Sequence, residues 1–380
     1  MKKILPIFLI ILTFTGSMLS FGEEVDYKAA ILMDYNTGDY IFKVNEDIEL
    51  PPASITKIMT LLLTMEAIES NQLSLEEEIV VSEYASSMGG RQVYLDGGET
   101  QRIEDLIKAV CIRSANDAAV ALGEAVAGSN DAFVNLMNER AKQLNMNNTN
   151  FVNATGLTAD NHYTSANDVS LMTRELLRHK KIIEYLTIYM EDIIVGRNKD
   201  AVQTMVNTNR LVRNYEGITG VKTGFTNEAG YCLSASAKRN GMQLISVILG
   251  ADDSSNRFSK AAELLDYGFA SYNSILIDQI NSKVGELKVD KGDINKVDLT
   301  LDRDSYALIP KSGDYEIRKE IISPSSILAP IKEGQVLGKL NVYIGDKEVD
   351  SIDLISDIEI EEANFINLLK KTIKTFISNN

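Results

Sequence analysis

Tryptophan is absent from this 380-residue chain, and histidine and cysteine each occur only twice. A Ser-His-Asp triad would need His162 or His179, and neither lies in a sequence context typical of a catalytic histidine. Cys111 and Cys232 do not have the spacing of metal ligands. They could form one disulfide or remain as two buried thiols. The sequence therefore offers no evident histidine triad and no evident metal centre.

Positive charge is also scarce, because 38 lysines and arginines stand against 54 aspartates and glutamates, a formal net charge of −16. Such an acidic balance argues against nucleic-acid binding, and no strongly basic run occurs outside the two termini. The lack of tryptophan leaves few aromatic platforms on which bases could stack. We therefore expect no nucleic-acid partner. The length allows two domains with a sizeable core.

The stretch from residue 51 to residue 68 combines an apolar helix pattern with two reactive groups. From Ile55 to Ile68 it is apolar on nearly every face, which predicts a helix buried inside a domain. Ser54 stands at its start and Lys57 one turn later, so the amine can reach the serine oxygen. A lone S-x-x-K more often marks an N-cap serine and a surface lysine. Here the lysine would be buried, and a neutral lysine can take the proton of a serine nucleophile.

A second polar group lies between two apolar helical segments, predicted at Ile103–Ile112 and Ala118–Ala127. Ser114 and Asn116 interrupt them, and we expect both side chains to point into a cleft rather than into bulk water. A simple capped helix break is the alternative. The same four letters recur at Ser165-Ala166-Asn167-Asp168, where the spacing instead predicts a capping box with aspartate in place of glutamate.

The third polar group is Lys222-Thr223-Gly224, which we expect to begin a strand that lines the same cleft. Two buried strands are predicted after it, at Tyr231–Ala237 and Leu244–Leu249. Gly224 would let another backbone approach closely, and an edge strand can bind an extended peptide. Lys222 would supply a second cation that binds a carboxylate and helps to keep Lys57 neutral. A bare K-T-G could equally begin an ordinary strand.

Other segments give weaker signals. Alternation around Asn36-Thr37-Gly38 predicts a hairpin within Ala29–Val44. Arg257 would open a helix that continues over Phe258–Tyr267, and it is either solvated or directed into the cleft. We also predict loop with short strands at 80–98, a helix at 133–144 and a loop at 147–163, and make no assignment at 182–194.

The ends of the chain differ from its middle. Residues 1–22 have the basic start, apolar core and small-x-small end of a signal peptide. An uncleaved membrane anchor is the alternative, but the apolar core is short for that. We predict a first domain at 23–274 and a small β-rich domain at 275–358, where short alternating runs are separated by turn residues. A helix at 359–380 would be amphipathic, with lysines opposite its apolar face. It would either lie on an anionic membrane or dock on its own domain.

The three polar groups occur in the order Ser54-x-x-Lys57, Ser114-x-Asn116 and Lys222-Thr223-Gly224, and together they are far more specific than any one of them. This is the motif set known for penicillin-binding proteins and class A β-lactamases. With its flanking residues, the chain resembles the low-molecular-mass penicillin-binding proteins, the D-alanyl-D-alanine carboxypeptidases of serine peptidase family S11. The resemblance extends over nearly the whole chain.

The resemblance implies an α/β (α+β) fold, with a serine β-lactamase/transpeptidase-like antiparallel sheet flanked by helices and followed by a small all-β domain. It implies no cofactor. The partners that it implies are peptidoglycan stem peptides, β-lactam antibiotics and, through the amphipathic helix, a membrane surface. The protein would be secreted across the cytoplasmic membrane and attached to its outer face.

The resemblance also implies residue roles. Ser54 would attack the carbonyl between the two terminal D-alanines, and Lys57 would take its proton. Ser114 would relay a proton to the leaving amine, and Asn116 would hold the substrate amide. Penicillins would acylate the same serine.

The remaining roles concern the substrate's acidic end and the oxyanion. Lys222 and Thr223 would bind the terminal carboxylate beside Gly224, with Arg257 as a helper. The backbone N–H groups of Ser54 and Phe225 would form the oxyanion hole. The chain departs from the family pattern in two places. Ala115 replaces a common glycine, and Phe225 replaces a histidine found in some members.

Three other functions remain open. A β-lactamase could share the scaffold, although the additional β domain and the tail argue against it. An endopeptidase that cuts cross-links would differ in its products. A wall-associated binding protein would have no use for a buried Ser–Lys pair.

Overall fold

A computed structural model describes residues 26–364. The predicted signal at 1–22 and residues 365–380 of the helix predicted at 359–380 lie outside this range. For residues 359–364 the helix prediction is wrong, because Ile360 and Glu362 form β-bridges with Ile331 and Gly292. The first part of the described chain contains nine strands: β1 (Ala29–Asp34), β2 (Tyr40–Val44), β3 (Glu78–Val80), β4 (Thr100–Arg102), β5 (Met190–Val195), β6 (Ala201–Val206), β7 (Ile218–Thr226), β8 (Gly230–Arg239) and β9 (Met242–Ala251).

The helices of the described chain all lie in this first part, after a short 3-10 turn at Ala53–Thr56. They are α1 (Lys57–Glu69), α2 (Glu83–Ser86), α3 (Ile103–Ile112), α4 (Asn116–Ala127), α5 (Asn130–Gln143), α6 (Ala166–Leu176), α7 (Lys180–Leu186), α8 (Leu211–Asn214) and α9 (Ser254–Ser271). No helix among residues 26–364 is long and apolar enough to cross a membrane.

A five-stranded antiparallel sheet organises this part, in the order β2-β1-β9-β8-β7. Alternate residues of β1 enter different cores, because successive side chains of a strand point to opposite faces. Ile31 and Met33 pack in the larger core, which includes α1, α3, α4 and α6. Ala30 and Leu32 pack in the smaller core with α9. The sheet is therefore covered by helices on both faces, and β7 is left at its edge.

Helix α1 is largely enclosed by the larger core. Ten of its thirteen residues are buried, and Ile58, Leu61 and Leu62 are completely so. Each such side chain contributes roughly 1.5–3 kcal/mol by leaving water. The apolar pattern at Ile55–Ile68 thus predicts the buried helix correctly. The first turn, however, is 3-10, and the α-helix begins only at Lys57.

The second part is all β. Its strands are β10 (Tyr272–Asp278), β11 (Lys283–Asp290), β12 (Lys296–Leu301), β13 (Ser305–Pro310), β14 (Ile317–Ile322), β15 (Ser326–Leu328), β16 (Val336–Ile344) and β17 (Lys347–Ile355). Six of them form a sheet in the order β14-β16-β17-β12-β11-β15, with its own apolar core, and β10 pairs with β13. The predicted fold class, a helix-flanked antiparallel sheet followed by a small all-β domain, is confirmed.

Several element boundaries differ from the predicted ones. The Lys222-Thr223-Gly224 group does not begin a strand but lies in the middle of β7, which starts at Ile218. Gly217 and Gly220, which precede the group, are typical of a loop and so concealed the true start of the strand. Gly220 lies at a register shift, where its φ is +126°. Helix α9 begins before Arg257, because the Asp253 carboxylate caps it through the N–H groups of Ser255 and Asn256. Helices α2 and α8 and strands β6, β10, β14 and β15 were not predicted.

One close backbone contact fixes the 147–163 loop against the 3-10 turn. Gly156 has φ of +82°, and a Cβ atom there would lie 1.7 Å from the carbonyl oxygen of Ala53. Gly241, in the turn between β8 and β9, has nearly the same φ of +84° but open space around it. A comparison of alanine substitutions at the two glycines therefore separates the cost of a positive φ from the cost of the overlap with Ala53.

We expect Gly241→Ala to lower the free energy of unfolding by roughly 1–2 kcal/mol, the usual cost of left-handed backbone for alanine. Gly156→Ala should cost about 1–3 kcal/mol more, because the loop must also move away from Ala53. Urea unfolding of both variants measures the difference. Equal losses would show that Gly156 is required for its conformation alone.

Candidate active site

The predicted reactive serine lies on the 3-10 turn that precedes α1. Its side chain is half-buried and lines a cavity of about 250 Å³ between the helices and the edge strand β7. Nζ of Lys57 lies 3.1 Å from Oγ of Ser54, because residues i and i+3 of the turn share one side. The pair predicted from the sequence is thus formed in the structure.

Lys57 is completely buried and is held by two further oxygens. Its Nζ donates to Oδ1 of Asn116 at 2.6 Å and to the backbone carbonyl of Thr155 at 2.6 Å. Burial, together with the positive charges of Lys222 and Arg91, holds the pKa of Lys57 well below its ordinary value, while Asp117 opposes this shift. No carboxylate pairs with this amine among the described residues.

Ser114 lies in the turn between α3 and α4, Asn116 is the first residue of α4, and both line the same cavity. Ser114 is buried and adopts φ of +65°, a conformation that directs its Oγ towards β7. Asn116 uses both ends of its amide, since Oδ1 accepts from Lys57 and Nδ2 donates to the carbonyl of Gly89 at 2.7 Å. The amide therefore links α1 to the 89–95 loop, and the cleft-facing prediction for both residues is correct.

Lys222 is buried on β7, and its Nζ donates to Oγ of Ser114 at 2.7 Å. Burial lowers the pKa of Lys222 to about 7, and the charge of Arg91 acts in the same direction. Oγ1 of Thr223 donates to Oγ1 of Thr208 at 2.8 Å. Ser54, Ser114 and Asn116 therefore line one cavity, and the two buried lysines, Lys57 and Lys222, lie directly behind them.

Gly224 lies where β7 passes the serine turn. A Cβ atom on Gly224 would be 3.1 Å from Cβ of Ala53, so a larger residue would push the strand away from Ser54. Phe225 follows on the rim, with its ring half-exposed and stacked on Tyr231 at 4.4 Å between centroids. Its side chain adds an apolar wall to the cavity entrance.

Arg257 faces the cavity rather than solvent. Its Nη1 donates to the carbonyls of Gly224 at 2.9 Å and of Cys232 at 3.3 Å, and its guanidinium lies 4.7 Å from the centre of the Phe258 ring. Burial lowers the pKa of Arg257 to about 10. The side chain is thus fixed behind β7, with its charge near the floor of the cavity.

Three contributors were missed by sequence reasoning. Thr155 acts through its backbone carbonyl, and Thr208 lies in a loop without a motif, so neither gives a sequence signal. Arg91 lines the cavity beside Gly90, and its position after two glycines gave no indication of this. Asp117 holds this loop in place by accepting from the N–H groups of Val93 and Leu95.

Neither histidine nor either cysteine lines the cavity. Nε2 of His162 lies 3.0 Å from Oγ1 of Thr56, behind the serine turn, and burial lowers the pKa of this histidine to about 4. Cys111 and Cys232 are both buried and free, which decides between the two alternatives left open by the sequence. They pack as small apolar side chains.

Comparison with known families gives two matches along the chain. A family model described as D-alanyl-D-alanine carboxypeptidase, peptidase S11, matches residues 17–253. A model described as penicillin-binding protein 5, C-terminal domain, matches residues 272–362.

Individual proteins are similar over nearly the same span. The D-alanyl-D-alanine carboxypeptidase DacF of Bacillus subtilis is 39% identical over 91% of this chain and 89% of its own. The crystal structure of penicillin binding protein 5 from Haemophilus influenzae, 29% identical, covers 89% of this chain and 98% of its own with a TM-score of 0.76. Penicillin-binding protein D2 from Listeria monocytogenes, in its cefotaxime-bound form, is 32% identical and covers 64% of this chain and 98% of its own with a TM-score of 0.55.

Proposed function

The chain belongs to the D-alanyl-D-alanine carboxypeptidase family of serine peptidases, S11, and on this basis we propose that it removes the terminal D-alanine from peptidoglycan stem pentapeptides through an acyl-enzyme on Ser54. The family members are penicillin-binding proteins of cell-wall metabolism. The trimmed stem peptide would serve maturation of the cell wall or of a spore cortex.

The arrangement around Lys57 is the observation that carries this proposal. A neutral amine has two N–H bonds and one lone pair. The amide oxygen of Asn116 and the carbonyl of Thr155, both at 2.6 Å, accept the two N–H bonds. The lone pair then faces Oγ of Ser54 at 3.1 Å and can accept the hydroxyl proton. An uncharged Lys57 is therefore oriented as the base for this serine.

Recognition of the substrate's carboxylate fits the opposite wall of the cavity. Lys222, Thr223 and Arg257 place two cations and a hydroxyl around the middle of β7. β7 lies at the edge of the sheet, where an extended peptide can pair with it, and Gly224 lets the strand lie close enough to the serine turn for that peptide to reach Ser54. A bound carboxylate would also raise the pKa of Lys222 and keep this lysine charged.

The proposed reaction has two stages. Oγ of Ser54 attacks the carbonyl carbon of the penultimate D-alanine while Lys57 takes its proton, and the oxyanion accepts from the backbone N–H groups of Ser54 and Phe225. One such donor is typically worth about 3 kcal/mol in the transition state. As the C–N bond breaks, a proton passes through Ser114 to the leaving amine. Water then hydrolyses the ester. Asn116 holds the peptide amide through the second N–H of its Nδ2, since the first is donated to Gly89 and Oδ1 accepts from Lys57. A β-lactam would acylate the same oxygen.

The location of the protein is a further part of the proposal. A basic and apolar start would direct the chain across the cytoplasmic membrane. In a helix through the C-terminal residues, Phe365, Leu368 and Leu369 would share one face, with Lys370 and Lys371 opposite. Such a helix would attach the enzyme to the outer face of that membrane.

For the nucleophile, we expect Ser54→Ala to abolish release of D-alanine from a disaccharide pentapeptide and labelling by fluorescent penicillin. Without Oγ no acyl-enzyme can form. Ser70→Ala, at the exposed end of the same helix, is the matched control and should retain both activities. Release of D-alanine by the Ser54 variant at the wild-type rate would contradict the assignment.

The penicillin adduct of the wild-type protein also distinguishes the alternatives. A slowly released adduct, followed by intact-mass measurement, is expected for a carboxypeptidase. Rapid turnover of the antibiotic would favour a β-lactamase. Cleavage of cross-linked dimers in preference to the pentapeptide would favour an endopeptidase.

For the electrostatics, we expect Arg91→Gln to shift the pH profile of kcat/KM to higher pH. The Arg91 charge lowers the pKa values of both Lys57 and Lys222. Activity should rise with pH as Lys57 loses its proton and fall as Lys222 loses its own. Removing Arg91 therefore moves both the rising and the falling part of the profile to higher pH. Rates across about pH 5 to 10 measure this. Arg318→Gln, on β14 of the second part, is the control that should leave the profile unchanged.

A superimposable profile for Arg91→Gln, or limbs displaced to lower pH, would contradict the electrostatic role of Arg91.

For the tail, we expect a chain shortened at Asn364 to remain in solution when full-length protein sediments with phosphatidylglycerol vesicles. The truncation keeps every described residue, so hydrolysis of a soluble peptide should persist. A full-length variant with Lys370, Lys371 and Lys374 changed to glutamine tests the charged face separately and should sediment less. Sedimentation of the shortened chain to the wild-type extent would reject the membrane proposal.

A further inference from the structure

A second, larger cleft lies where the two parts of the chain meet. Its volume is about 510 Å³, twice that of the cavity at Ser54, and the two share no lining residue. Tyr35 and Arg174 line it from the catalytic part, while Arg303 and Tyr306 line it from the all-β part. The parts are joined beside it by Asn36, whose Nδ2 donates to Oγ of Ser274 at 3.0 Å.

The cleft is cationic although the chain is acidic. Five cations line it, namely Arg174, Arg178, Lys180, Lys238 and Arg303, against two carboxylates, Asp304 and Asp350. Over the whole sequence the balance is −16. No strongly basic run indicates the cluster in the sequence, because its members come from three separate stretches, at 174–180, at Lys238 and at Arg303. The fold therefore brings together in this cleft positive charges that are far apart in the sequence.

Much of this positive charge has no partner of opposite sign within the described residues. Asp350 is used by Arg303, at 2.6 Å and 3.2 Å. Arg178 pairs with Glu175 at 3.2 Å. Between residues 26 and 364, no carboxylate forms an ion pair with Arg174, Lys180 or Lys238. Three cations are therefore available to an anion that enters the cleft.

Arg174 is held in place for such a contact. Its Nε donates to the carbonyl of Tyr35 at 2.7 Å and its Nη2 to the carbonyl of Asn36 at 2.8 Å. Burial lowers the pKa of Arg174, and repulsion from the charge of Arg178 acts in the same direction, whereas Asp34 and Glu175 oppose the shift. A bound anion would relieve this repulsion.

The neutral lining indicates what carries the anion. The phenol rings of Tyr35 and Tyr306 and the amides of Asn36 and Gln243 complete the walls. Aromatic faces pack against sugar or polyol carbons, and amide and phenol groups exchange hydrogen bonds with hydroxyls. Cations beside aromatic rings and amides can bind both the charged groups and the hydroxyls of a ligand, which a surface of cations alone cannot do. The site is also recessed between the two domains, whereas a flat membrane surface can contact only a site that protrudes from the protein.

We propose that the interdomain cleft binds an anionic carbohydrate or polyol chain, with its phosphate or carboxylate groups on Arg174, Arg178, Lys180 and Lys238 and its hydroxyls on the tyrosines and amides. The site is independent of the proposed peptidase chemistry. Its occupant would contact both domains at once.

The test is calorimetric titration of the full-length Ser54→Ala protein, in which hydrolysis cannot contribute heat. A glycerol phosphate trimer and trigalacturonate represent the phosphate and carboxylate sources, and maltotriose is the neutral control. The variant Arg178→Gln/Lys238→Gln removes two exposed cations from the cleft. The matched control, Arg197→Gln/Lys199→Gln, removes two exposed cations from the loop between β5 and β6.

We expect at least one of the two anionic trimers to bind, with an affinity that falls as salt is raised. The cleft variant should bind it about tenfold more weakly, as two partly exposed charge contacts are lost, and the control variant as wild type. The proposal is overturned if neither trimer binds, if maltotriose binds equally, or if both double variants lose the same affinity. It is also overturned if only phosphatidylglycerol vesicles bind and the cleft variant abolishes this.

Discussion

The structure depends on one buried amine. Lys57 has given up water and has no carboxylate in the described structure to replace it, so the charged form is disfavoured by burial and by the cations around it. Two fixed oxygens, from Asn116 and Thr155, take its hydrogen-bond donors and leave Ser54 as the third neighbour. An ordinary protein core would exclude such a residue. Here burial and the neighbouring cations lower the pKa of the amine, and the two oxygens fix its orientation.

The surrounding elements can be understood as supports for this arrangement. Helix α1 is apolar on nearly every side, which fixes Lys57 at its first turn inside the larger core. The 147–163 loop brings the Thr155 carbonyl into place, and Gly156 lets that loop lie against Ala53. The edge strand β7 supplies Lys222 and leaves its outer side open. Each support restricts either the base or the access of an extended peptide.

The sequence predicted which polar side chains come together better than it predicted the backbone around them. Ser54, Lys57, Ser114, Asn116 and Lys222 were found because side-chain chemistry recurs there with helical or motif spacing. Backbone contributions left no such signal, which is why the Thr155 carbonyl could not be anticipated. The start of β7 was missed because glycines before Lys222 resemble a loop. The cationic cleft was missed because its charges are distant in sequence and are gathered only by the tertiary fold.

The central claim is that Lys57 is uncharged when the substrate arrives. It is tested most directly by an NMR titration of protein carrying 13C-labelled lysine, with the Lys57 Cε signal assigned from its loss in Lys57→Met. We predict that this signal titrates far below the range of ordinary lysines, so that the amine is neutral near pH 7. A Lys57 signal that titrates with the exposed lysines would contradict the account, because a charged amine cannot take the proton of Ser54.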